Sequence, residues 1–120
     1  MADRVMFIGW GNPVRGREER ALEVFNDSVG LYGRMQQDGR IESFDITLLG
    51  INSVLNGFAE LKGDVAQIQA LSEDEEFQRM IVDASLIVED LNVMPGYTNA
   101  GVAGQMAIYA EAVAKVPQTA

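Results

Sequence analysis

The sequence predicts an α+β domain built on an antiparallel four-stranded sheet with its helices on one face. The chain order is strand, helix, strand, strand, helix, strand, followed by one more helix. Three observations carry this. Val5-Met6-Phe7-Ile8-Gly9-Trp10 is a short, unbroken apolar run, the pattern of a strand covered on both faces and therefore central in its sheet. Residues 17–37 repeat apolar side chains at helical spacing, and residues 41–49 alternate between apolar and polar. A βαββαβ order closes most simply into the split βαβ arrangement, a sheet with helices on one side.

Each element has its own signals. After the first strand, Gly11-Asn12-Pro13-Val14-Arg15-Gly16 breaks the pattern with turn residues. In the first helix Leu22, Phe25, Val29 and Tyr32, with Ala21, Val24, Leu31 and Met35, form the apolar stripe. Glu18 and Glu19 suit the positive end of its dipole, and Asp38-Gly39 ends it. The second strand puts Phe44, Ile46 and Leu48 on a greasy face and Ser43, Asp45, Thr47 and Leu49 on a mixed one. A turn at residues 50–53 leads to a third strand over 54–62, with Leu55, Ala59 and Leu61 on one face, Phe58 and Glu60 on the other, and Gly57 as a possible bulge position. Asp64-x-x-Gln67 and Ser72-x-x-Glu75 match capping boxes and predict helices over 65–71 and 73–84. Residues 87–94 read as the last strand, ended by Pro95-Gly96. Val102, Met106, Tyr109 and Val113 then form the stripe of an amphipathic C-terminal helix. The chain is expected to be one domain over residues 1–120, with the sheet core in 1–97 and that helix in 98–120.

Composition narrows the function classes. Apolar residues at 48% and charged residues at 22% are ordinary for a globular chain. No apolar run reaches the roughly 18 residues of a spanning helix, and the first strand is too short for the core of a signal peptide, so a cytoplasmic protein is expected. Between Glu60 and Asp90 nine acids face only Lys62 and Arg79, which is most of the formal net charge of −9. That acidity repels phosphate backbones and anionic membranes, so neither nucleic acid nor membrane is an expected partner, and its plain role is solubility. With no histidine and no cysteine, the usual ligands of zinc, haem and copper are missing, and serine-triad and thiol catalysis are set aside. No metal and no cofactor is expected.

The order of elements over residues 5–94 and the trailing helix resemble the dimeric α+β barrel proteins, in which two ferredoxin-like subunits pack sheet against sheet. The stretch Gly63-Asp64-Val65 through Asp74-Glu75-Glu76-Phe77-Gln78-Arg79, a strand and then Pro95-Gly96-Tyr97 looks like the small uncharacterised members. The resemblance implies a homodimer with a cavity for a small organic molecule. Members that use a histidine as base or haem ligand are contradicted by this chain.

Two places invite chemistry. The loop of residues 9–18 follows a strand and opens a helix, and Gly11 and Gly16 have P-loop spacing; Arg17 and Glu18 stand where lysine and a hydroxyl are needed, which rules out a nucleotide. A carboxylate or sulfate held by Arg15, Arg17 and the free N–H groups survives as a looser version. The mixed sheet face is the better candidate. Asp45, Thr47, Glu60 and Asn92 share it with Phe58, Leu49 and Met94, while Trp10, Asn12 and Tyr97 stand at strand ends near its rim. The candidate ligand contacts are therefore Trp10, Asn12, Thr47, Phe58, Asn92 and Tyr97. Asp45 or Glu60 is the candidate general base of a cofactor-independent enzyme, burial and its neighbour raising one of them. The plainer reading makes these carboxylates exposed strand residues, or part of an interface satisfied by Lys62 or an arginine. The first functional expectation is thus a homodimer binding a small, largely apolar molecule between its sheets. The alternative is a non-catalytic dimerisation or regulatory module, and a third form is a monomer whose C-terminal helix covers the sheet.

Overall fold

A computed structural model describes residues 1–119. The strands are β1 (Arg4–Trp10), β2 (Ser43–Leu48), β3 (Gly57–Gly63) and β4 (Asn92–Tyr97). The helices are α1 (Glu18–Gln37), α2 (Val65–Leu71), α3 (Glu75–Ser85) and α4 (Ala100–Ala114). The sheet order is β2-β3-β1-β4, every pair antiparallel, and β1 is central as its continuous apolar run requires.

The registers sort the residues by face. Met6 lies opposite Leu61 and Ile8 opposite Ala59, and these rows continue to Phe44 and Ile46 on β2. All six belong to the core, against Leu31, Tyr32 and Met35 of α1, Ile68 and Leu71 of α2, and Phe77 and Met80 of α3. Phe7, Glu60, Asp45 and Met94 form a row on the other face, with Gly9, Phe58, Thr47 and Asn92 beside it. Among the described residues no helix covers that row: Asp45, Thr47, Asn92 and Met94 are exposed, and Phe7, Phe58 and Glu60 half-buried.

Several boundaries depart from the sequence expectations, each for a physical reason. β3 begins at Gly57 and pairs regularly there with Trp10 and Leu48, so Gly57 is no bulge. Residues before it belong to a loop organised by Asn52, whose side chain accepts from the Val54 and Leu55 N–H groups and donates to the Gly50 and Leu55 carbonyls. That loop carries Leu55 to the open face, beside Gly9, and away from Ala59 and Leu61. α2 has its capping box on Asp64 and Gln67 as expected. α3 is instead capped by Asp74, which accepts from the Phe77 N–H at 3.0 Å, because Ser72 is still the C-cap of α2.

The last strand is displaced furthest. β4 runs through Pro95 and Gly96, where an edge strand tolerates a residue with no N–H. Residues 87–89, expected to begin it, are drawn onto the β1–α1 loop: Gly11 N–H donates to Glu89 O, Glu89 N–H to Asn12 O and Val14 N–H to Ile87 O.

α4 is a helix, as the sequence reading has it, but it covers no part of its own sheet. Only Gly101 is buried, tucked against the Asp3 carbonyl, and Val102, Met106, Ile108, Tyr109 and Val113 stand exposed. Glu111 is the only charged residue in the helix, so its apolar character runs all round and not along one stripe. The radius of gyration of 17.0 Å exceeds the roughly 14 Å of a compact chain this long, as a projecting helix requires. The monomer closed by its own C-terminal helix is therefore not the form described.

Arg40 fastens the end of α1 to the start of α3. Its guanidinium meets Asp38, Asp74 and Glu76, each at 3.0 Å. The hydrogen bond from Arg40 holds the Asp38 carboxyl below the usual range. Burial pushes Asp74 up, but the Phe77 N–H and Arg40 outweigh it and leave Asp74 lowered as well. A depressed folded-state value means stability that is complete above the normal aspartate range and lost as pH falls through the lowered one. Urea midpoints followed from neutral pH downward are expected to drop steeply below about pH 4 in the native chain. Arg40→Ala should start lower and show a flatter acid limb; an unchanged limb would show that this cluster is not a source of the dependence.

Candidate functional site

The two crossovers cover the sheet unevenly. α2 starts where β3 ends, so it packs over the Gly63 end of the sheet, placing Ile68 and Leu71 in the core there. At the opposite end, where Trp10, Leu48 and Gly57 meet, α1 and the end of α3 are the only helical cover. A cavity of about 350 Å³, partly open to solvent, remains between them. Ile8, Trp10, Ile46 and Leu48 form its sheet side, and Val24, Phe25, Ser28, Val29 and Tyr32 its α1 side. Met80 and Ala84 of α3 and Ile87, Val88 and Leu91 of the following connection close it. Pulling residues 87–89 onto the β1–α1 loop is what brings Ile87 and Val88 to this wall.

Trp10 is set by a glycine. A Cβ on Gly57 would lie 2.8 Å from the Thr47 carbonyl oxygen and 2.9 Å from the Trp10 ring, so only glycine admits the indole this close to β3. The Phe25 ring meets it edge-on, centroids 6.1 Å apart.

The cavity's polar groups are few and differ with depth. Glu18 and the half-buried Asn56 belong to its wall near the exposed Leu22 and Leu48, while Ser28 and Tyr32 are buried. Ser28 Oγ donates to the Val24 carbonyl at 2.6 Å. Glu18 accepts from the Gly16 N–H at 2.8 Å. Burial pushes the Tyr32 phenol well above its ordinary pKa, so it stays protonated. No lysine or arginine lines the cavity.

The residues singled out from the sequence are divided by the sheet. Asp45, Thr47, Phe58, Glu60 and Asn92 do share the open face. There Asp45 and Glu60 are cross-strand partners, Lys62 Nζ lies 3.2 Å from Asp45, and the Phe7 and Phe58 rings stack at 5.5 Å. Of the expected ligand contacts only Trp10 lines the cavity, on the other side of the sheet. Asn12 is exposed and contributes its carbonyl to the pairing with Glu89. Tyr97 lies at the far end of β4 with the Arg4 guanidinium over its ring, 4.5 Å from the centroid. At the helix start Glu18 accepts from the Gly16 N–H and Arg17 donates to the Leu86 carbonyl. Phe25, Val29 and Tyr32 belong to the apolar stripe that spacing gives the first helix, and nothing local distinguishes a side chain that fills a core from one that lines a cavity. Among the described residues no cluster of three or more carboxylates is placed to hold a metal ion, and no helix is long and apolar enough to cross a membrane.

Solved structures share this architecture. One is an ethyl tert-butyl ether D (EthD) family protein from Bacillus halodurans, at a TM-score of 0.64 and 16% identity over 81% of this chain and 99% of that one. A dimeric protein of unknown function from Bacteroides fragilis matches at 0.59 and 11% over 79% and 96%, respectively. The hydroxynitrile lyase of Passiflora edulis matches at 0.61 and 13% over 82% and 96%. The fold is ferredoxin-like. At these identities the likeness establishes the fold and leaves activity to the site. No protein-family model matches the chain, and no curated protein matches it by sequence.

Gly57→Val is expected to destabilise the fold by about 1–3 kcal/mol through overpacking against the Thr47 carbonyl. It should also move the emission of Trp10, the only tryptophan, to longer wavelength as the indole is pushed towards water. Unchanged emission would mean the glycine does not set the indole's position.

Proposed function

We propose that this protein binds a small, neutral, largely apolar organic molecule in the cavity beneath α1, and that it does so as a homodimer joined through the open sheet face. The observation that carries the first part is the cavity itself, about 350 Å³ lined by Ile8, Trp10, Phe25, Val29 and Leu91 with few polar groups. Glu18 at its wall and the missing cations disfavour an anionic ligand. The location differs from the sequence expectation of a site between sheets, because this cavity lies on the helix side. Asp45 and Glu60 face away from it, so this reading assigns them no part in holding the ligand.

The homodimer rests on apolar surface without cover. Phe7, Phe58 and Met94 on the open face, and Met106, Ile108 and Tyr109 on α4, are more than a lone soluble subunit ordinarily leaves to water. The Bacteroides fragilis protein of the same fold is described as dimeric. These surfaces also favour a second reading, a dimerisation or regulatory module with no ligand site, which the same experiments separate from the first.

Naphthalene is expected to perturb Trp10 emission in the native chain and to bind at least tenfold more weakly to Ala21→Phe, whose ring enters the cavity. Asp45→Asn and Glu60→Gln should leave that response unchanged. No response in the native chain would favour the module without a ligand. In native mass spectrometry at micromolar concentration the chain should be a dimer, and Phe58→Asp, which sets charge on the shared face, should shift it to monomer. A monomeric native chain would remove the dimer and leave the cavity reading standing.

A further inference from the structure

The cavity proposed above contains one buried donor that the fold leaves poorly matched. Tyr32 is 3% exposed, and the single hydrogen bond of its hydroxyl among the described residues is to the Met80 sulfur at 3.8 Å. A thioether is a weak acceptor, whereas a buried hydroxyl ordinarily finds oxygen or nitrogen. Both residues belong to the cavity wall, so an occupant could replace the sulfur without disturbing the backbone. Ser28, the other buried hydroxyl of the wall, already donates to the Val24 carbonyl at 2.6 Å.

We propose that Tyr32 donates a hydrogen bond to the ligand, and that the ligand is an apolar molecule bearing one neutral oxygen acceptor, a ketone, aldehyde or ether. The inference rests on the cavity reading and adds the ligand's polar group to it. The chemistry follows from what the wall holds. A phenol raised by burial stays a donor across the physiological range and does not act as a phenolate. No cation is present to hold a carboxylate or phosphate, and Glu18 repels one. A pure hydrocarbon would leave the phenol with the sulfur alone, whereas a carbonyl oxygen gives this buried hydroxyl a full partner.

The test compares camphor with bornane, the same skeleton without the carbonyl, on the full chain and on Tyr32→Phe, with binding read from Trp10 emission and from ligand-observed NMR. Tyr32→Phe keeps the ring that packs at 5.7 Å from Phe44. Camphor should bind about three- to tenfold more weakly to Tyr32→Phe than to the native chain, with bornane unchanged, a loss of the size of one neutral hydrogen bond. Comparing variants in this way cancels the different hydration of the two probes. If both probes bind and the substitution leaves their ratio unchanged, the Tyr32 assignment is overturned and the cavity reading stands; a carbonyl preference that persists would belong to Trp10 Nε1 or Asn56. If neither probe binds the native chain, both the assignment and the cavity reading fail.

Discussion

β1 is hydrogen-bonded on both sides, to β3 and to β4, so its apolar residues must find cover on two faces of one sheet. The helices answer for one face only. Met6 and Ile8 are buried under α1, α2 and α3, while Phe7, between them in the chain and on the opposite face, stacks on Phe58. The crossovers, the open face and the projecting α4 all follow from how this demand is met. An antiparallel sheet can leave one side to water when that side is polar. Here the exposed side mixes Phe58 and Met94 with Asp45, Lys62 and Glu60, a composition suited to a partner surface.

The cavity is a consequence of element length. α2 has 7 residues and is spent at the Gly63 end of the sheet, while α1, with 20, begins at the Trp10 end, where only the end of α3 packs beside its first turns. Glycine at 57 lets Trp10 lie low, and the connection after α3 brings Ile87 and Val88 to the wall, yet the volume is not filled. An apolar molecule set against Ile8, Phe25 and Val29 would gain dispersion contacts that water does not give. Its polar groups are placed sparingly, as a binding site's are.

Much of the fold was legible from local pattern. The continuous run at Val5–Trp10, the helical stripe of α1, the alternation in β2 and the Asp64 capping box each state their structure within a few residues. The failures came where two local signals competed. Ser72-x-x-Glu75 is a valid box, but Ser72 was already closing α2, and Asp74 took the cap. Ile87-Val88 has strand composition, yet its partners lie in the β1–α1 loop, and the edge position of β4 made Pro95 acceptable inside a strand. The candidate site was legible only in part. The shared face of Asp45, Thr47, Phe58, Glu60 and Asn92 follows from strand periodicity, but Trp10 was assigned to its rim and lies beneath the sheet, among residues whose spacing marks only core.

The sequence by itself determined the elements, their antiparallel order, the centrality of β1 and the absence of imidazole and thiol chemistry. These depend on periodicity of 2 or 3.6, on turn residues and on composition, all of which are local. Tertiary structure decided that an apolar cavity lies under α1, that Tyr32 meets a sulfur there, and that α4 stands clear of its own sheet. Each of these is set by distances between segments far apart in the chain. A side chain's spacing says which way it points along its own element, and it says nothing of whether the element opposite is long enough to reach it.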